Sequence, residues 1–83
     1  MRPSPFDERF AAFLRRQRGE KAYRAFAPKL GLTRSTLYRL ENLEQSVTLT
    51  KLHDILVRLR CSADEIFFPA QTPRRQAEPS KKA

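Results

Sequence analysis

The sequence predicts an all-α domain built as a compact bundle of five short helices. Three observations carry this. Apolar residues recur three and four positions apart rather than two. Serine or threonine stands before most of these runs and glycine after two of them, where helix starts and stops place them. Stretches that alternate apolar and polar residues, as a half-buried strand would, are scarce.

The first helix starts at "SPFD", with Ser4 as N-cap, Pro5 at the first helical position and Asp7 reaching back. Phe6, Phe10, Phe13 and Leu14 form its apolar face, and Gly19 stops it. The second helix covers Tyr23 to Leu30, turns Phe26, Ala27 and Leu30 inward, and ends at Gly31. Pro28 falls inside it. A proline there removes a backbone hydrogen bond and crowds the preceding turn, so this helix is expected to be distorted or short. Thr33 caps a third helix, Arg34 to Asn42, with Leu37 and Leu40 inward. Thr48 caps a fourth, whose stripe is Leu49, Leu52, Ile55, Leu56 and Leu59. Ser62 and Glu65 form a capping box for a fifth, which carries Ile66 and Phe67 into the core. Residues 1–68 make the domain. Residues 69–83 are polar, basic and proline-containing, and read as a disordered tail.

A chain of 83 residues, 40% of them hydrophobic, can bury a core without metals or disulfides. The single cysteine, Cys61, allows no internal disulfide, which fits a reducing, cytoplasmic setting. It reads as a small residue at a helix end. His53 has no histidine or cysteine near it in sequence and reads as a surface residue, so no metal and no cofactor is expected. No apolar run reaches the length of a membrane span, and "MRPSPFDERF" holds no stretch of signal-peptide length.

The net charge is +8, which calls for an anionic partner. Its distribution is one-sided. Arg15, Arg16, Arg18, Lys21, Arg24, Lys29, Arg34 and Arg39 face only Glu20 across that span. From Glu41 to Glu65 acids outnumber bases. A single-sign field over half a domain is the pattern of an electrostatic docking face.

The second and third helices, joined by "LGLT", make a helix-turn-helix pattern. Here the chain resembles the lambda-repressor-like family, the Cro and phage-repressor (XRE-type) DNA-binding domains. "FAPKLGLTRSTLYRLEN" is similar to that family's second and third helices, and "TLTKLHDILVRLRCSADEIF" to its fourth and fifth. Four positions depart from the pattern. Tyr23 stands where the second helix usually opens with glutamine. Leu43 stands where a glycine usually follows the third helix. Val47 replaces a frequent proline, and the turn "RGEKA" is longer than usual.

The resemblance implies a third helix, about 33–42, that lies in the major groove of double-stranded DNA. Residues four apart share a helix face, which aligns Arg34 with Tyr38 and Ser35 with Arg39, away from Leu37 and Leu40. Carried over by position, Arg34, Ser35, Tyr38 and Arg39 are the base contacts. Arginine can bond O6 and N7 of guanine together, so guanine is expected in the half-site. Tyr38 suits a thymine methyl, a phosphate or packing against a neighbouring helix. Tyr23, Arg24, Thr33, Asn42, Gln45 and Ser46 are the phosphate candidates, with packing as the other role open to Tyr23. Glu41 is expected to be structural, paired with Arg15 or Arg16 of the first helix.

The implied function is a sequence-specific transcriptional regulator of bacterial, phage or plasmid origin. It would be a repressor that binds a pseudo-palindromic operator as a homodimer and is nucleoid-associated when bound. Phe68 and Leu43 are the candidate dimer contacts, and covering the fourth helix is the other role open to Phe68. One alternative is an antitoxin that binds DNA and a toxin, with the tail as its protein-binding arm. Another is a basic protein that binds RNA or DNA without sequence preference. No nucleophile–base pair, metal cluster or phosphate-cradling glycine loop marks the sequence, so an enzyme is not expected.

Overall fold

The computed structural model describes residues 2–68, and the expected tail at 69–83 lies outside them. The order is α1 Pro5–Arg18, α2 Tyr23–Phe26, a 3-10 turn Ala27–Leu30, α3 Arg34–Glu41, α4 Leu49–Leu59 and α5 Asp64–Phe67. All the secondary structure among the described residues is helical.

Local chemistry sets the helix starts. The Ser4 hydroxyl accepts from the Asp7 backbone N–H at 3.2 Å, and the Asp7 carboxylate accepts from the Ser4 N–H at 2.8 Å. Both arms of the expected capping box are present. Thr33 accepts from the N–H of Thr36, and Thr48 from that of Lys51, each at 3.1 Å. The box expected at α5 is only half formed. Glu65 accepts from the Ser62 N–H at 3.1 Å, but the helix opens one residue later than expected, after Ala63, which has helical backbone angles. The Ser62 hydroxyl is therefore not at the capping position.

Pro28 acts as its chemistry requires. It has no N–H for the carbonyl of Arg24, so α2 stops after one turn and the chain tightens into the 3-10 segment. Gly31 closes this segment with φ +71°, its N–H on the Pro28 carbonyl while the Leu32 N–H reaches Ala27. A left-handed ending recurs without glycine two residues past α3 and one residue past α4. Leu43 and Arg60 take φ +61° and +58° there, and the N–H groups of Glu44 and Cys61 reach back to Arg39 and Leu56. So α3 ends at Glu41, with Asn42 after it as the cap, one residue short of the expected end.

The core joins Phe10, Phe13 and Leu14 of α1 to Phe26, Ala27 and Leu30, then to Leu37, Leu40, Ile55 and Ile66. α1 packs on α3 and α5, and α4 packs on the 3-10 turn. Two expected core residues stand outside. Leu49, at the first position of α4, is 84% exposed, and Phe6, at the start of α1, is 65% exposed. Each sits in the first turn of its helix, and both line one groove with Val47 and Phe67. Phe6 instead meets Phe67 edge to face, centroids 5.4 Å apart, and Phe67 is half-buried rather than enclosed.

Candidate nucleic-acid interface

The two faces of α3 separate cleanly. Leu37, Leu40 and Glu41 are buried, whereas Arg34, Ser35, Tyr38 and Arg39 are exposed. These four line one open groove, together with Tyr23 and Glu44. Arg34 and Arg39 make no ion pair among the described residues. Their guanidiniums are open to an outside acceptor.

Glu41 anchors this face from beneath. Its carboxylate is fully buried, and Arg18 donates to both oxygens, Nε to Oε2 at 2.8 Å and Nη2 to Oε1 at 2.9 Å. The Tyr23 hydroxyl donates to Oε1 at 3.2 Å. Hydrogen bonding to Glu41 holds the Arg18 pKa above that of a free guanidinium. The expected partner of Glu41, Arg15 or Arg16, is thus corrected to Arg18. Arg18 ends α1 next to the long turn, level with the carboxylate. Arg15 donates instead to the Glu41 backbone carbonyl, and Arg16 to that of Glu65 at 3.1 Å. Arg9 donates to the carbonyl of Phe67. These arginines tie α1 to the C-terminal ends of α3 and α5, where carbonyls lack partners of their own. The basic run is therefore not all docking face: Arg18 is engaged by Glu41 through two nitrogens, and Arg15 and Arg16, though exposed, each commit a donor to a backbone carbonyl.

The phosphate candidates scatter. Arg24 is exposed on α2, beside the turn. The Thr33 hydroxyl is engaged at the cap, accepting from the Thr36 N–H and donating to the Thr36 hydroxyl at 2.9 Å. The Asn42 side chain donates to the Tyr38 carbonyl at 2.8 Å, and Gln45 is half-buried. Ser46 belongs to another groove, lined also by Phe6, Val47, Leu49 and Phe67, where its hydroxyl donates to Asp7 at 2.7 Å. The Asp7 carboxylate is thus a partner of that hydroxyl. The Asp7 carboxyl is held below its usual range, first by the Ser4 backbone N–H and then by Ser46.

A helix-turn-helix family model of the XRE, lambda-repressor-like type matches residues 14–66. The chain belongs to this family. It carries an XRE-type DNA-binding domain of a transcription regulator. Neither the curated proteins nor the solved structures searched gave a match.

In this XRE domain the first helix of the motif is α2 with its 3-10 extension, the turn is Gly31–Thr33, and the second helix is α3. Two residues of the site were not expected from the sequence. Arg18 shares the α1 face of Arg15, three positions on, so helical spacing contained the signal. Glu44 carried none: it lies past the end of α3 and reaches the groove only because Leu43 reverses the chain through a left-handed turn. The dimer candidates lie apart in the chain, Leu43 half-buried after α3 and Phe68 53% exposed after α5.

Proposed function

We propose that this regulator binds double-stranded DNA sequence-specifically, as a homodimeric repressor on a pseudo-palindromic operator, with α3 in the major groove. The carrying observation is the shared groove of Arg34, Ser35, Tyr38 and Arg39, set over a helix face whose other side is buried. Arg34 and Arg39 supply bidentate donors for guanine, and Ser35 can donate or accept. Arg24 and the backbone N–H groups opening α3 serve phosphate. One domain of this size buries too little surface for tight binding, and two copies one helical turn apart remedy that. Phe68 is the proposed dimer contact. The protein acts by binding rather than by catalysis, in the cytoplasm and on the nucleoid.

Selection of bound sequences from a random duplex pool tests this. A two-fold motif with guanine in each half-site is the expected result. A pool that returns no motif defeats it in favour of sequence-independent binding. Phe68→Ser lowers the molecular mass in solution if the dimer contact is as proposed.

A further inference from the structure

We infer that Tyr23 is a positioning residue that holds the Tyr38 ring ready for a thymine methyl group. This rests on α3 being the recognition helix.

The two rings meet edge to face, centroids 5.7 Å apart and planes at 70°. Tyr23 is itself held from three sides. The Arg18 guanidinium lies over its ring, 4.2 Å from the centroid. Its hydroxyl donates to the buried Glu41 carboxylate at 3.2 Å. The rest of the ring packs on the core. One flank of Tyr38 is thus a fixed aromatic wall, anchored through Tyr23 and Glu41 to the end of α1. The other flank is open, with Tyr38 47% exposed in the groove.

A ring braced on one side loses little conformational freedom when something docks on the other. The groove partner for it follows from chemistry. Arg34, Ser35 and Arg39 can meet the hydrogen-bonding groups of base edges, whereas the Tyr38 ring offers an apolar surface. The apolar group on the major-groove edge of a base pair is the C5-methyl of thymine.

The test uses the full chain and the duplex recovered by selection. Each thymine is replaced in turn by uracil, which removes only the methyl group, and the thymine-to-uracil affinity ratio is read for each protein. In the unaltered chain one position per half-site gives a ratio of about 4, the effect of one buried methyl group. Tyr38→Ala brings that ratio to about 1. So does Tyr23→Ala, although Tyr38 is still present. The ratio is internal to each variant, so a loss of folded protein leaves it unmoved. Tyr23→Ala that weakens both duplexes equally, with the ratio kept, overturns the positioning role. A ratio near 1 throughout, with Tyr38→Phe alone weakening binding, overturns the methyl contact in favour of a hydroxyl–phosphate bond. A motif without thymine also overturns the inference yet leaves specific binding standing, whereas an absence of any motif removes the reading beneath it.

Discussion

Arg18 and Glu41 form a two-point ion pair across the base of α3, linking the last residue of α1 to the last residue of α3. The carboxylate is sealed from water while the arginine side chain keeps 20% of its exposure. Removing either partner is therefore not symmetrical.

Arg18→Ala leaves a charge buried without its partner, a loss of about 3–5 kcal/mol, with the low end expected because Arg18 is partly solvated. Arg18→Met with Glu41→Leu recovers most of it, since the buried charge goes too. Urea unfolding of the three proteins checks this. A double variant no more stable than Arg18→Ala contradicts it.

Asp7 gives acid sensitivity with a definite sign. Its folded pKa is depressed by Ser4 and Ser46. The stability it contributes is present above the unfolded value of about 3.9 and is lost as pH falls through the folded value. The stability gap between the parent chain and Asp7→Asn should shrink steadily below about pH 4. A gap that stays constant on acidification shows that the Asp7 charge contributes nothing.

Leu43 and Arg60 hold left-handed backbone angles that cost a residue with a Cβ roughly 1–2 kcal/mol. Arg60→Gly, at an exposed position, should raise stability by about 1 kcal/mol in thermal unfolding. Leu43→Gly should gain less, because the half-buried Leu43 side chain is lost with the strain. Gly31→Ala runs the other way: φ is +71°, and a Cβ would lie 2.9 Å from the Arg58 guanidinium carbon. Destabilisation by Arg60→Gly refutes the strain argument.

On the selected duplex, Arg34→Ala or Arg39→Ala should each cost about 1–3 kcal/mol and relax the preference for guanine at one position. Glu44→Gln should do the opposite to background binding. Its carboxylate sits in the same groove and repels phosphates whatever the sequence. The neutral variant should bind random duplex more tightly and discriminate less. Unchanged random-duplex affinity shows that Glu44 does not face the backbone.

Local chemistry was the legible part of this protein. Ser4, Thr33 and Thr48 cap helices because a short hydroxyl before an apolar run has one good use. Pro28 broke α2 where its missing N–H dictates. The division of α3 into Leu37 and Leu40 against Arg34, Ser35, Tyr38 and Arg39 followed from spacing alone. What failed were statements about partners across the fold. Which arginine of α1 reaches Glu41 depends on the path of the turn at Gly19–Ala22, and a charge in a sequence does not say whether its donors point out or in. Leu49 and Phe6 fit apolar stripes but stand exposed in the first turns of their helices. Leu43 stood out as a departure from glycine, but only its backbone angle shows that the turn was kept at a cost.

The arginines bonded to backbone carbonyls divide the electrostatics of the domain by distance. A hydrogen bond to a carbonyl does not discharge Arg9, Arg15 or Arg16, so all three still add to the field an approaching polyanion meets. That field decays over about 8–10 Å in physiological salt. None of the three lines the groove, so on the proposed complex the counterions released at contact are those near Arg34 and Arg39 of the groove and the exposed Arg24 of α2. Association rate and equilibrium affinity should consequently answer to different residues: neutralising Arg16 slows capture at low ionic strength, while neutralising Arg24 flattens the salt dependence of the bound state.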